Sequence, residues 1–310
     1  MQDFRIDTFL SVCETLNYTK TAEFLHITQP AVSQHIRFLE ARYGTKLLTY
    51  RNRKLRLTDQ GLMLRDASRA LRSDDDALRR KMAASHQCRE RLLLGLTMTV
   101  GECMAARSVA RFLEAHDELQ VSIHVADTSM LLHDLDQGTI DCAIIEGFCD
   151  KTRYGYRTVS SEPFIGVCAP GNAENKTPKR FDELLARHLI TREQGSGTRA
   201  VLEHALADQN LQVRDFARIT ETNSIALIKE LVEETDGIAF LYQSAVEADV
   251  LDHRLERIFL TCDPLVHDIT GVWRKGSCFA EYYRDVVSEI ASFMNCTDPL
   301  GECKPTQARS

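Results

Sequence analysis

Residues 17–42 constrain the fold more than any other stretch, because they read as two short helices joined by a tight turn. The first helix is expected to end near Leu25, with His26 and Ile27 as the turn and Thr28 as N-cap to a second helix that opens with Gln29 and Pro30. Pro30 is tolerated only in that first turn, where its missing N–H has no helical partner to lose. Along the second helix Val32, Ile36, Leu39 and Tyr43 recur at helical spacing and should pack inward, while Gln29, Ser33, Gln34 and Arg37 share the opposite, polar face. A helix-turn-helix with such a face suits the major groove of DNA.

The net charge of −7 argues against that reading until it is divided along the chain. Residues 1–58 hold nine Lys or Arg against five Asp or Glu, a net of +4, which leaves −11 for the remainder. A small basic module can therefore supply phosphate contacts by itself. With 310 residues, 44% of them hydrophobic, the chain has material for two or three domains. It has no apolar run of membrane-spanning length, and its first 20 residues are amphipathic, with Asp3, Asp7 and Glu14, rather than signal-like; no membrane partner and a cytoplasmic location are expected. The ten cysteines form no Cys-x-x-Cys pair or zinc spacing, so reduced, buried thiols are expected and no metal or other cofactor is implied.

Upstream of the paired helices, Ile6, Phe9, Leu10, Cys13 and Leu16 mark one face of a further helix. Downstream, Leu55 and Leu57 alternate with Lys54 and Arg56 in a short hairpin, or wing. Thr58 then opens a long helix in which Leu64, Leu71 and Leu78 repeat every seven residues on an otherwise charged rod. That thin stripe points to pairing with a second copy. From Arg91 the pattern alternates strands, at about 92–96, 121–125, 141–145, 164–169, 188–191, 216–220 and 238–242, with helices, as in an α/β region of mostly parallel sheet. A region of this size has room for two lobes with a ligand cleft between them.

In this order the pieces resemble the LysR-type transcriptional regulators, over nearly the whole chain. The resemblance is carried by residues 28–40, Thr-Gln-Pro-Ala-Val-Ser-Gln-His-Ile-Arg-Phe-Leu-Glu, then by Gly44, Leu47, Arg53 and Leu57-Thr58-x-x-Gly61. It implies an α/β protein with an N-terminal winged helix-turn-helix at 1–58, a linker and dimerisation helix at 59–90, and a two-lobed, periplasmic-binding-protein-like effector domain at 91–296. Lobe I would hold 91–162 and 266–296, lobe II 163–265, and 297–310 a flexible tail. The wing departs from the family pattern, since Leu-Phe-x-Arg is replaced by Leu47-Leu48-Thr49-Tyr50 and the usual Ala before the glycine is Gln60.

For the DNA module, Thr28, Gln29, Pro30, Ser33, Gln34, Arg37 and Arg53 are the expected contacts: Gln29 and Gln34 on base edges, Ser33, Arg37 and Arg53 on phosphate or, for Arg37, guanine. The double-stranded operator would be an inverted repeat read by a homodimer or homotetramer paired through Leu64, Leu71 and Leu78. For the effector, Ser196, Gly197 and Thr198 open a helix just after a strand, a terminus that favours an anion, and across the cleft Thr97 and Thr99 end the first strand of lobe I while Thr128 and Ser129 follow its second. Asn223 and Tyr242 are further candidates. A small, anionic effector is the resulting expectation. Two alternatives stand beside it: a regulator that senses oxidants through cysteine, with Cys142 and Cys149 as the nearest pair, and a phosphate-handling enzyme. The second lacks a P-loop lysine, a Gly-x-Ser-x-Gly elbow or any catalytic set, so no enzyme is expected.

Overall fold

A computed structural model describes residues 3–52, 54–84, 90–171, 177–262 and 264–294. Two compact units emerge, the first built on the chain up to residue 88 and the second on most of the remaining residues.

The first unit runs α1 (Phe4–Thr15), α2 (Tyr18–Phe24), α3 (Gln29–Tyr43), β1 (Leu48–Arg51), β2 (Lys54–Leu57) and α4 (Asp59–Ala84). Each of the first three helices starts at a residue whose side chain takes up orphan amides. Asp3 accepts from Arg5 N, Asn17 from Thr19 N and Lys20 N, and Thr28 from Ala31 N. Pro30 sits in the first turn of α3, and Gly44 ends that helix in the left-handed region at φ 65°. Phe9, Val12, Ala22, Val32, Ile36, Leu39, Leu47 and Leu55 close a small core. Tyr43 does not join it; at the last helical position it is 48% exposed, beyond the reach of the three-helix core.

The signature around Thr58 and Gly61 has a physical basis. Thr58 donates its hydroxyl to Lys46 O at 2.6 Å and accepts from Gly61 N at 3.0 Å, so one side chain both caps α4 and ties it to the entry of the wing. A Cβ on Gly61 would lie 2.1 Å from Leu47 O, an approach only glycine allows. Further along α4, Leu64 packs on the N-terminal core, whereas Leu71 and Leu78 are 64% and 46% exposed.

The second unit contains β3 (Glu90–Thr97), a π-helical turn (Val100–Met104), α5 (Ala106–Ala115), β4 (Leu119–Ala126), α6 (Thr128–Gln137), β5 (Cys142–Ile145) and β6 (Tyr154–Cys168). Next along the chain come α7 (Phe181–Leu184), β7 (His188–Arg192), α8 (Gly197–Ala207), β8 (Arg218–Thr222), α9 (Ile225–Glu233), β9 (Ile238–Tyr242), α10 (Gln243–Leu251), β10 (Glu256–Ile258), β11 (Val266–Arg274) and α11 (Ala280–Met294). The strands are arranged in the order β4-β3-β5-β11-β6-β9-β7-β8, with β10 also on β6. The long strand β6 belongs to both halves: residues up to Pro163 pair with β11, and those from Phe164 pair with β9 and β10. Both faces of each half are covered, one by the large core around Leu94, Phe112, Phe164 and Leu202, the others by clusters around Leu131 and Ile228.

The sheet is mixed rather than mostly parallel. Strands β3, β4 and β5, and β7, β8 and β9, pair in parallel, but β6 and β11 run antiparallel to every neighbour. The first part of β6 escapes the apolar pattern because Arg157, Thr158 and Ser161 are exposed and Glu162 is half-buried. The strand expected at 216–220 begins two residues later, since Phe216 is held by a 3-10 turn (Val213–Asp215) and turned into the core.

Gly61→Ala should cost about 1–3 kcal/mol, the range for forced overpacking, and more if the Leu47 carbonyl cannot yield. Thermal unfolding followed by circular dichroism measures it; an unchanged midpoint would show that the Thr58 junction is not tight.

Candidate nucleic-acid interface and ligand cleft

On the first unit, Gln29, Pro30, Gln34 and Arg37 are exposed and Ser33 is half-exposed along one face of α3. With the wing they bound a concave surface in which Gln29, Ser33 and Arg37 face Lys46, Thr49 and Tyr50. Arg37, Arg51, Lys54 and Arg56 are exposed and make no ion pair among the described residues, whereas Lys46 is held by Glu40 at 2.7 Å. Glu40 also accepts from Leu47 N, so it fixes the loop between α3 and the wing. Tyr18, Tyr50 and Lys54 were not among the expected contacts. Tyr50 stands where the family pattern has arginine, and its exposed ring and hydroxyl face the same surface. Arg53 lies outside the described residues.

On the second unit, the N-termini of α6 and α8 meet across a cavity of about 360 Å³. Of the expected effector residues, Thr128, Ser129, Ser196 and Gly197 line it, joined by Leu132, Phe148, Gln194, Arg199 and Glu203. Ser196 caps α8 through Arg199 N, and Asp127 accepts from Met130 N and Ser129 Oγ at the start of α6. The two helix ends are tied directly, because Ser129 N donates to Gly195 O at 3.2 Å. Thr97, Thr99 and Thr198 are buried rather than cavity-lining, with Thr99 and Thr198 hydroxyls 3.4 Å apart. Tyr242 is fully buried, its hydroxyl 3.3 Å from His267 Nδ1, and Asn223 is exposed on the loop after β8; neither lines this cavity.

The residue that sequence reasoning missed is Glu146, one position past β5 and 1% exposed. Its Oε1 accepts from Thr198 Oγ1 at 2.7 Å, and its carbonyl accepts from Thr128 Oγ1 at 2.8 Å. The backbones touch here: a Cβ on Gly147, whose φ is 84°, would lie 2.6 Å from Gly197 Cα. Burial pushes the Glu146 carboxyl up from the usual 4.5, against the opposing pull of the Thr99 and Thr198 hydroxyls and the Arg192 guanidinium. A charged residue after an apolar strand normally reads as a solvated strand end, which is why nothing in the pattern singled it out.

Four of the described cysteines, the Cys142 and Cys149 pair among them, share one electrostatic feature. Burial pushes the Cys142, Cys149 and Cys103 thiols up, and Cys13 up to about 12, so each is held in the less reactive protonated form.

An exposed polar helix beside a wing, joined to a two-halved α/β unit with a polar cleft, defines a ligand-responsive DNA-binding protein. The family model for the bacterial regulatory helix-turn-helix protein, lysR family, matches residues 5–62, and that for the LysR substrate binding domain matches 85–292. The chain belongs to the LysR family of DNA-binding transcriptional regulators, with a small-molecule effector domain behind its helix-turn-helix. It is 27% identical over 256 residues to the HTH-type transcriptional regulator CysL of Bacillus subtilis, covering 80% of this chain and 83% of that one. The transcriptional activator CmpR of Synechocystis is 26% identical over 246 residues, covering 78% and 80%. Among solved structures, full-length BenM shares the fold at a TM-score of 0.56 and 18% identity, over 97% of this chain and 100% of that one. A full-length OxyR variant from Pseudomonas aeruginosa does so at 0.56 and 18%, over 95% and 99%. Among the described residues no helix is long and apolar enough to cross a membrane.

Burial of Glu146 gives a stability prediction with a definite sign. Its folded-state pKa lies above the unfolded value near 4.5, so the folded chain keeps this proton longer, and the group's contribution is greatest below 4.5 and declines as pH rises through the lifted value. Glu146→Gln should therefore raise the melting temperature at neutral pH relative to the parent chain and lose that advantage below pH 4.5. An equal effect at both pH values would mean that the carboxylate is not charged at a cost in the folded cleft.

Proposed function

We propose that the chain works as a cytoplasmic, effector-controlled homodimer or homotetramer on an inverted-repeat operator, without a catalytic role. In this reading residues 1–58 bind DNA, 59–90 pair subunits and 91–296 sense the effector, with lobe I at 91–162 and 266–296 and lobe II at 163–265. The tail from 297 to 310 lies outside the described residues. The observation that carries the proposal is the exposed face of α3 set beside uncompensated cations. Gln29, Ser33, Gln34 and Arg37 are free to meet a groove while Arg51, Lys54 and Arg56 remain available to phosphate. Thr28 acts one step behind, as the cap that sets the start of α3, and Pro30 offers an apolar contact to a base.

Pairing through α4 draws support from Leu71 and Leu78, which stand exposed on the helix with Met63 and Met82. Leu64 is engaged in the N-terminal core and contributes at most the base of that seam. In the second unit the effector would sit between α6 and α8, where Thr128, Ser129, Ser196 and Gly197 line the cavity and Thr97, Thr99 and Thr198 stand just behind it. Ligand binding would favour one arrangement of the two halves and so bias the DNA-binding modules.

Three experiments test this reading. Arg37→Ala should weaken operator binding by about 1–3 kcal/mol if it reads a base, or lower the salt dependence by about one unit if it grips phosphate. Ser33→Ala should weaken binding less; gel-shift titrations in which both variants match the parent would remove α3 as the DNA contact. Leu71→Glu with Leu78→Glu should shift the sedimentation coefficient toward monomer, since like charges would replace the apolar seam. Thr99→Ala and Thr198→Ala should abolish effector-dependent transcription from a reporter operator while leaving DNA binding intact; unaltered induction in both would place the effector elsewhere.

A further inference from the structure

Behind the residues that line the cavity, on a residue joined to Thr128 and Thr198, lies a carboxylate. Glu146 is buried, one oxygen receives Thr198, and Oε2 has no hydrogen-bond partner. An unpaired buried carboxylate oxygen is costly, and it persists where something other than folding requires it. Arg192, the last residue of β7 and 1% exposed, holds Glu193 with Nε and Nη2 at 2.9 Å each, and its Nη1 has no partner. Arg192 is near enough for its charge to act on Glu146, yet no hydrogen bond joins the two. Thr97 Oγ1 is unpartnered as well, on β3 beside the end of β5, where Leu96 pairs with Ile144. Glu146 Oε2, Arg192 Nη1 and Thr97 Oγ1, each at or one residue past the end of its strand, thus remain without partners.

Several donors that would greet a plain anion are already engaged. Ser129 N serves Gly195 O, Thr128 Oγ1 serves the Glu146 carbonyl, and Thr198 Oγ1 serves the Glu146 carboxylate. Arg199, buried on α8, is bound by Glu203 at 2.8 Å and Glu221 at 2.5 Å. Glu146 and Asp127 come on top of these paired acids, so an added anion would meet excess negative charge.

We propose that the cleft takes a zwitterion of the α-amino-acid class, its ammonium group on Glu146 Oε2 and its carboxylate on Arg192 Nη1. The proposal rests on the reading of this cleft as the effector site and replaces the anionic ligand expected from the α8 N-terminus. Gly147 and Gly197, with no side chains between the backbones, are where the two halves would part to admit the ligand. A bound ammonium stabilises the charged carboxylate, so binding is accompanied by ionisation of Glu146 and strengthens as pH rises through its lifted pKa.

The test is a thermal-shift screen of the full chain against the twenty standard α-amino acids, extended for the best of them to its decarboxylated amine and its deaminated acid. At least one amino acid should raise the melting temperature by a few degrees at about 10 mM, with both truncated analogues and the Glu146→Gln variant binding at least about tenfold more weakly. No stabilisation by any amino acid overturns the proposal, as does a deaminated acid that binds as well as its parent. If that acid's effect is lost in Thr198→Ala, the cleft remains the effector site with an anionic ligand. Stabilisation unchanged in both Glu146→Gln and Thr198→Ala removes the cleft reading too. The analogue comparison uses the parent chain alone, so it stands even if a variant fails to fold.

Discussion

The two halves of the effector domain meet backbone to backbone at Gly147 and Gly197, and that contact creates the cleft. Because neither residue has a Cβ, the turn after β5 reaches the first turn of α8, which brings the Glu146 carboxylate against the Thr198 hydroxyl. The same approach places Thr128 on the Glu146 carbonyl and the α6 amide of Ser129 on Gly195. Two helix N-termini, each a source of partial positive charge, then face a buried acid. Their fields help tolerate Glu146, but one of its oxygens still lacks a donor. Stability is given up at the point where a ligand would act, a common relation between binding sites and the folds that carry them.

The DNA-binding unit shows the opposite economy, with nearly every local device working for the fold. Thr58 joins wing and helix, Glu40 fixes the loop, and three N-caps start three helices. What it leaves open is charge. Cations concentrate on α3 and the wing, while the chain as a whole is acidic, so the field that draws DNA is local to one surface. The negative remainder disfavours nonspecific contact with the phosphate backbone elsewhere on the chain.

The helix-turn-helix was legible because its signals are local: an N-cap at Thr28, a proline confined to a first turn, and apolar spacing at Val32, Ile36 and Leu39. Tyr43 shows the limit of that logic, since spacing says which face a residue is on and not whether the core extends that far. In the second unit the parallel strands announced themselves as short apolar runs. The polar first half of β6 did not, because its partner β11 lies more than 100 residues away in sequence and supplies the pairing that its composition does not advertise. The helix termini of the site were likewise readable from Gly195 to Thr198, but Glu146 was not. Its burial is a product of the Gly147–Gly197 contact, which joins residues 50 positions apart, and no local pattern distinguishes it from an ordinary solvated acid.

That distinction bears on how such a cleft can switch. A ligand shifts the balance between two arrangements only by as much as it prefers one of them. If the closed halves were held by apolar packing alone, a polar effector would gain little by selecting them. Here the arrangement described carries a buried carboxylate and a buried guanidinium, each with one terminal atom unpartnered. A ligand that supplies both missing partners removes a penalty present in that arrangement and largely absent when the halves part and water reaches the same groups. In the proposed reading, the unsatisfied pair would set both the direction of the shift and the chemistry of what can cause it.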